Sequence, residues 1–228
     1  MLRAKLAGSW RQPMTLRAEI LLKCALLGCV LMPLSSWSAA LLESREETII
    51  FIRHGEKPPR GLGQINCQGL NRALALPAVL LAKFGKPDFV FAPDPHQKKP
   101  DGEQSYNYLR PLLTVAPTAV QLGLPINTSF GYADIDALQR ELAAPRYQNA
   151  LVLVAWEHHK LEEMVRAMLK RMGGPVSEVP SWKGSDFDSI YVVTVRRGHG
   201  LTTSSFALAR QQLNDQSLSC PSATALKP

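Results

Sequence analysis

Two apolar segments constrain the fold of this chain more than any other feature. Residues 48–52 and 150–156 are unbroken runs of β-branched, aliphatic and aromatic residues. Such runs are typical of strands that are buried on both faces of a parallel sheet. Each run ends at a polar segment, Arg53-His-Gly-Glu56 after the first and Glu157-His-His159 after the second. Because sites of α/β proteins lie at the carboxyl ends of parallel strands, the two segments are predicted to form one site.

Helical patterns alternate with the predicted strands. Apolar residues recur at helical spacing over residues 70–84, where Pro77 is expected to kink or divide the helix. We expect further helices over residues 105–119, 135–142 and 160–172, and further strands over residues 88–92, 189–195 and 204–209. The polar segment 93–104 is expected to be an exposed loop. This order predicts one α/β domain, a three-layer α/β/α sandwich with a mainly parallel sheet.

The first 40 residues have the pattern of an export signal. A basic start is followed by the apolar stretch 25–34 and by small residues up to Ala40. We expect cleavage after Ala40, which leaves residues 41–228 as the mature domain in the periplasm or outside the cell. An uncleaved anchor, or a lipid on Cys29 in a lipobox-like segment, is the alternative, and it is the only link to a membrane that we expect.

Most of the formal net charge of +7 belongs to that signal. Residues 1–40 hold five of the 26 basic and one of the 19 acidic residues, which leaves 21 against 18 in the remainder. The four tryptophans form no stacking platform for bases. Nucleic acid is therefore not an expected partner.

Loss of the signal leaves Cys67 and Cys220 as the thiols of the mature chain. In an oxidising compartment they could form a disulfide, and two unpaired thiols are an equally weighted alternative. Neither cysteine belongs to a Cys-x-x-Cys or Cys/His cluster, so we expect no metal site and no cofactor.

Four short motifs resemble those of the histidine phosphatase superfamily, which includes phosphoglycerate mutases and many acid phosphatases. Arg53-His-Gly55, directly after a strand, resembles its RHG motif. Gly69 and Arg72 match its Gly-x-x-Arg-Ala helix opening, and Arg110 and Thr114 match an Arg-x-x-x-Thr opening. The strand that ends at His158 resembles the one bearing the family's second histidine. The motifs follow the family's order over nearly the whole mature chain, which implies a phosphoglycerate mutase-like fold.

The resemblance implies a phosphate pocket formed by Arg53, His54, Arg110 and His158, with His54 as the nucleophile that becomes a phosphohistidine. The chemistry agrees, because two guanidinium groups can neutralise a phosphoryl group in transfer without losing their protons. A neutral imidazole is available as a nucleophile near neutral pH.

The chain departs from the family pattern beside the second arginine and the second histidine. The family's serine before the second arginine is missing, so Arg110 is assigned from its helix and from the threonine spacing. Glu157 and His159 flank His158 where the family has small residues, and His159 remains the alternative second histidine.

Several further residues are candidates for the chemistry around the pocket. An ester's leaving oxygen needs a proton, and Asp134 or Glu157 could supply it. Their structural alternatives are a helix N-cap for Asp134 and a salt bridge for Glu157. Arg60 is a candidate for binding substrate charge. His96, Lys98 and Lys99 could bind an anionic substrate from their loop, although a charge run in a loop is usually ordinary surface.

The sequence thus predicts an exported, metal-independent phosphatase. Its expected substrates are phosphorylated small molecules or membrane-associated phosphomonoesters, hydrolysed through a phosphohistidine. The alternative is a binding module for phosphorylated ligands that retains the arginines without turnover.

Overall fold

A computed structural model describes residues 45–198 and 200–222. The predicted export signal, residues 1–40, lies outside the described residues. Within them, the strands are β1 (Arg45–Arg53), β2 (Phe89–Phe91), β3 (Lys98–Asp101), β4 (Gln104–Asn107), β5 (Ile126–Asn127), β6 (Leu151–Trp156), β7 (Ser189–Gly198) and β8 (Leu201–Arg210). The helices are α1 (Cys67–Phe84), α2 (Arg110–Leu122), α3 (Ile135–Leu142) and α4 (His158–Arg171). Short 3₁₀ turns occur at Pro145–Tyr147 and Val176–Glu178.

Six strands form one sheet in the order β5-β2-β6-β1-β7-β8. β1 pairs with β6, and β2 pairs with both β5 and β6, in parallel. β7 pairs antiparallel with β1 and with β8. The sheet is therefore mainly parallel, as predicted.

Alternate residues of β1 and β6 point to opposite faces of the sheet. Ile49 and Phe51 pack in one cluster with residues of α3 and α4, including Leu138 and Val165. Ile50 and Ile52 pack in another with residues of α1 and α2, including Leu76 and Val115. Because the strands are apolar on both faces, each face needs a helical layer. The predicted three-layer α/β/α sandwich is confirmed.

The hairpin β3–β4 corrects the prediction of an exposed loop over residues 93–104. Lys98–Asp101 pairs antiparallel with Gln104–Asn107, so α2 begins at Arg110 instead of residue 105. Asp101 in this hairpin is buried. The segment has no apolar residues apart from its prolines, and ion pairs of Asp101 hold it to the domain instead. The short strand β5 was not predicted.

Pro77 neither divides nor ends its helix. α1 runs unbroken from Cys67 to Phe84, and Pro77 lies on its buried face. The packing of this helix against the sheet outweighs the hydrogen bond that proline removes.

Cys67 and Cys220 form a disulfide, with their Cα atoms 4.5 Å apart. It joins the first residue of α1 to the segment that follows β8. Asn71 in α1 also donates to the carbonyls of Ser217 and Ser219, at 2.8 Å each. In the described part of the chain, no helix is both long and apolar enough to cross a membrane.

Candidate active site

The carboxyl ends of β1 and β6 bring the two polar segments together. Arg53 lies opposite Trp156 in the parallel register. The backbone N–H of His54 donates to the carbonyl of Trp156 at 3.1 Å, extending the ladder by one residue. Residues 53–54 and 157–158 therefore leave the sheet side by side, as predicted.

The imidazole of His54 is buried and held in one tautomer. Its Nδ1 lies 2.8 Å from the carbonyl oxygen of Gly55. A carbonyl can only accept, so Nδ1 carries the proton and Nε2 retains its lone pair. Burial lowers the pKa of His54 well below that of a free histidine, and Arg110, Arg53 and Lys99 lower it further. His54 is thus a neutral imidazole with one basic nitrogen.

Arg53 is positioned by the segment before β7. Its Nη1 donates to the carbonyls of Gly184 at 2.7 Å and Asp186 at 3.0 Å. Its guanidinium carbon lies 3.9 Å from the centre of the Phe187 ring. Burial lowers its pKa to about 10, although the nearby Glu157 opposes that shift. Arg53 therefore stays charged near neutral pH, and its buried Nε has no hydrogen-bond partner among residues 45–198 and 200–222.

The loop after His54 is packed tightly against α1 and α2. A Cβ on Gly55 would lie 3.0 Å from the Cα and carbonyl oxygen of Gly69, so glycine is required there. The N–H of Gly55 donates to the Thr114 hydroxyl at 2.8 Å, and that hydroxyl donates to the carbonyl of Arg110 at 2.8 Å. The spacing between Arg110 and Thr114 is thereby explained, since one turn of α2 contributes both the guanidinium and the anchor for the loop.

Arg72 anchors the same loop from α1. It donates through Nε and Nη2 to the carboxylate of Glu56, at 2.6–3.1 Å, and both side chains are buried. It also donates to Gln211 at 3.1 Å and Asn214 at 3.2 Å. Arg72 is a structural link between the His54 loop and the segment after β8.

Arg110 reaches the site from the first turn of α2, paired with Asp101 of the hairpin. Asp101 also accepts from Lys57 at 3.1 Å and from the N–H of Gly63 at 3.2 Å. Burial opposes ionisation of Asp101, but Arg110 and Lys57 outweigh it and lower its pKa. The charged cluster fixes the hairpin beside the site. In the described part of the chain, the buried Nε of Arg110 has no hydrogen-bond partner.

His158 and Glu157 occupy the start of α4. The Nδ1 of His158 lies 2.7 Å from Oε1 of Glu157. Its Nε2 is buried without a hydrogen-bond partner and lies 3.9 Å from the position of a Cβ on Gly184, the residue that also holds Arg53. His159 is exposed, which favours His158 as the second histidine of the site.

Glu157 is the N-cap of α4 and accepts from the N–H of Lys160 at 3.0 Å. Burial opposes its ionisation, but His158 and Lys99 outweigh burial and hold its pKa well below the usual range. Such a carboxylate is ionised at neutral pH, the opposite of what a general acid needs.

Asp134 and Arg60 lie on the surface. Asp134 accepts from the N–H of Gly131 at 2.9 Å and is exposed at the start of α3. Arg60 is exposed beside the hairpin, where it lines a surface pocket together with Asp101 and Tyr106. No contact of either side chain with His54 or His158 is found among the described residues.

Two more side chains lie within the site: Tyr108, which the sequence did not single out, and Lys99, for which the sequence favoured ordinary surface charge over substrate binding. Tyr108 is fully buried, and its ring packs edge-on against His54 with centroids 6.1 Å apart. The Lys99 Nζ lies 5.0 Å from the centre of the Tyr108 ring and 5.4 Å from that of Tyr132. The short distance of Tyr108 from Arg110 in sequence is the one signal that could have indicated it.

One cluster in the described part of the chain has the donor set of a metal site. Ligand atoms of Glu157, His158 and His159 lie within 4.8 Å of one another. Two of these side chains already contact each other, since Nδ1 of His158 lies 2.7 Å from Oε1 of Glu157.

The fold and the site define an α/β protein with a buried cationic pocket at the carboxyl edge of its parallel strands. No protein-family model and no curated protein matches the chain. Among solved structures, a mycobacterial glucosyl-3-phosphoglycerate phosphatase is similar over 72% of this chain and 95% of its own, with 16% identity and a TM-score of 0.48.

Two further solved structures illustrate the range of similar proteins. A putative phosphohistidine phosphatase from Nakamurella multipartitia has 14% identity and a TM-score of 0.45, over 72% of this chain and 95% of its own. Phosphoglycerate mutase from Plasmodium falciparum has 13% identity and a TM-score of 0.44, over 78% and 97%. These proteins are members of the superfamily that the motifs resemble. Structural similarity at these TM-scores does not indicate the activity of this chain.

Proposed function

We propose that this protein is a metal-independent phosphatase that hydrolyses phosphomonoesters through a phosphohistidine on His54. One observation carries the proposal: three buried donors and one buried ring nitrogen around His54 have no hydrogen-bond partner among the described residues. The donors are Arg53 Nε, Arg110 Nε and the hydroxyl of Tyr108, and the ring nitrogen is Nε2 of His158, which donates when that ring carries two protons. Buried polar groups are nearly always paired, so unpaired donors of this kind indicate a ligand that accepts hydrogen bonds. Two of them are guanidinium groups, which favours an anion with several oxygens, such as a phosphoryl group.

The first half of the reaction is attack by His54. The lone pair of Nε2 forms a bond to phosphorus while the bond from phosphorus to the ester oxygen breaks. The leaving oxygen takes up one proton from a donor in the site and departs as the alcohol, and the attacking water of the second half returns that proton to the donor. Because Nδ1 donates to Gly55, the positive charge of the phosphorylated ring is stabilised by a carbonyl oxygen. Arg53 and Arg110 neutralise the charge on the non-bridging oxygens.

The second half is attack by water. Water forms the new bond to phosphorus, the bond from Nε2 to phosphorus breaks, and inorganic phosphate leaves. The same guanidinium groups serve both halves, since the same phosphoryl oxygens are present in each. Every group used here belongs to the protein, so the reaction requires no metal ion or cofactor.

Hydrolysis of p-nitrophenyl phosphate by the wild type and by His54→Asn tests this function. The amide of asparagine can still donate to Gly55 but cannot form the phosphoenzyme. We expect turnover by the wild type, none by the variant, and an acid-labile phosphoryl group on His54 in rapidly quenched wild type. Activity should persist in EDTA. Turnover by His54→Asn, or loss of activity in EDTA, would contradict the proposal.

A binding module without turnover is the second candidate. The ionised state of Glu157 favours it, because one of the two predicted carboxylic acids is then unable to donate a proton. Binding of inorganic phosphate with no hydrolysis of any phosphomonoester would select this candidate.

We also propose that the protein is exported and that its substrates are small or membrane-associated phosphomonoesters outside the cytoplasm. The disulfide between Cys67 and Cys220 supports an oxidising compartment. Mass spectrometry of the mature amino terminus tests this, with residue 41 expected first. A retained amino terminus, or a lipid on Cys29, would replace the soluble exported form with a membrane-tethered one.

A further inference from the structure

Neither carboxylate that the sequence offers as a general acid suits that role. Glu157 is an ionised helix cap, and Asp134 is exposed in a loop where it accepts from Gly131. An alkoxide is a poor leaving group unless it is protonated as its bond to phosphorus breaks. The site therefore needs a proton donor among its other residues.

From its ring contact with His54 and its buried, unpaired hydroxyl, we infer that Tyr108 donates the proton to the leaving oxygen. This inference rests on the proposed function. Tyr108 lies two residues before Arg110, and its edge-on ring contact places it beside the nucleophile. It is as deeply buried as His54 itself.

The proton of the buried Tyr108 hydroxyl has no acceptor among the described residues. Arg110 interacts with the hydroxyl oxygen, and an arginine can only donate, so this interaction leaves the proton available. Burial raises the pKa of Tyr108, so the phenol keeps its proton at neutral pH. In the same surroundings a phenol is more acidic than an alkyl alcohol, so its proton can pass to a leaving alkoxide.

Two cations lie against the Tyr108 ring. The guanidinium carbon of Arg110 and the Nζ of Lys99 each lie 5.0 Å from the centre of the ring. Negative charge on the Tyr108 oxygen would be attracted by Arg110 and Arg53 and repelled by Glu157. The cations outnumber this one carboxylate, so they help to stabilise the phenolate that exists between the two halves of the reaction.

The proton balance closes over one cycle. In the first half, the O–H bond of Tyr108 breaks, its proton joins the leaving oxygen, and an alcohol and a phenolate result. In the second half, the phenolate takes a proton from the attacking water, whose oxygen forms the new bond to phosphorus. Tyr108 is then again a phenol, and no other donor or acceptor is needed.

The test compares two substrates that differ in their need for a proton. The leaving group of p-nitrophenyl phosphate is stable as an anion, whereas that of glycerol phosphate is an alkoxide. We expect Tyr108→Phe to lower kcat/KM for glycerol phosphate by about 10²-fold or more, and for p-nitrophenyl phosphate by less than about tenfold. Tyr106→Phe is the matched control, because the Tyr106 hydroxyl only donates to Gln104 on the hairpin.

Each outcome separates the donor role from the function on which it rests. Equal losses on both substrates would overturn the role of Tyr108 as proton donor and leave the phosphatase function intact. A wild type that hydrolyses neither substrate would overturn the function instead. If Tyr108→Phe does not fold, fluorotyrosine at position 108 replaces it. This more acidic phenol should change kcat/KM for glycerol phosphate alone, and an equal change on both substrates would refute the donor role.

Discussion

The Nδ1 of His54 donates to the carbonyl of the next residue, Gly55, across 2.8 Å. This short-range hydrogen bond selects the tautomer whose basic nitrogen is Nε2. Burial and the neighbouring Arg110 and Arg53 disfavour a second proton on the ring. The cations that would bind a phosphoryl group therefore also keep the attacking atom, Nε2 of His54, free of a proton.

The first prediction concerns the titration of His54. Since its pKa is held well below the ordinary value of 6.5, the ring should remain neutral as the pH falls through that value. In NMR titrations of the imidazole signals, the His54 resonance, assigned by its loss in His54→Asn, should not move between about pH 8 and about pH 6. A His54 midpoint near 6.5 would contradict the prediction.

Thr114 should stabilise the His54 loop through its hydroxyl alone. Thr114→Val retains the shape of the side chain but leaves the N–H of Gly55 without a partner. We expect a loss of about 1–3 kcal/mol in the free energy of unfolding, measured with urea, together with lower activity. Thr118→Val, one turn later, removes a buried hydroxyl that has no partner and should be neutral or stabilising. Equal losses in the two variants would argue against the anchoring role.

Lys99 should contribute charge to phosphate binding. Lys99→Met keeps an apolar chain against Tyr108 and Tyr132 and removes the ammonium group. We expect about tenfold weaker inhibition by inorganic phosphate, the loss typical of one charge-assisted contact. Lys98→Met, at the exposed neighbouring position, is the control and should bind phosphate as the wild type does. Unchanged affinity in Lys99→Met would exclude the role.

The buried ion pair between Arg72 and Glu56 should stabilise the fold far more than an exposed ion pair does. Glu56→Gln removes the nearer of two carboxylates from the guanidinium of Arg72, which is only 1% exposed, and leaves Asp188 at 3.8 Å. We expect a loss of about 3 kcal/mol in the free energy of unfolding, the lower end of the range for a broken buried pair. Glu46→Gln removes the exposed pair with Arg196 and should cost no more than about 1 kcal/mol. Chemical denaturation of both variants measures the difference, and similar losses would contradict the structural role of Arg72.

The disulfide should stabilise the domain by restricting the unfolded chain. Cys67 and Cys220 are separated by 153 residues, so we expect reduction to lower the free energy of unfolding by about 2–4 kcal/mol. Thermal unfolding with and without dithiothreitol measures the effect. A Cys67→Ala/Cys220→Ala variant should unfold at the temperature of the reduced protein and should not respond to dithiothreitol. A response by that variant would assign the effect to another cause.

Local pattern in the sequence was enough to predict the sheet strands that carry the site. The apolar runs that became β1 and β6 are buried on both faces, and each ends one or two residues before its histidine. A strand that is apolar on both faces is stable only where both faces are covered, which places it in the centre of a sheet. Over a few residues, strand and turn formation follow mainly from residues that are neighbours in sequence.

Local sequence pattern could not predict contacts between residues that are far apart in sequence. The hairpin β3–β4 contains no apolar pattern, and it is held by the pairing of Asp101 with Arg110 and Lys57. Lys99 resembled surface charge, since nothing next to it in sequence shows that two tyrosine rings flank it. The roles of Tyr108 and of Glu157 likewise depend on charges from several elements.

The sequence by itself therefore determined the layered α/β architecture and the polar residues that follow β1 and β6, among them His54 and His158. Only the tertiary structure decided the protonation states, the anchor of the His54 loop, the disulfide and the presence of Tyr108 in the site. The physical reason is range: secondary structure follows from periodicity over a few residues, whereas burial and electrostatic environment are set by chain segments that meet only after folding.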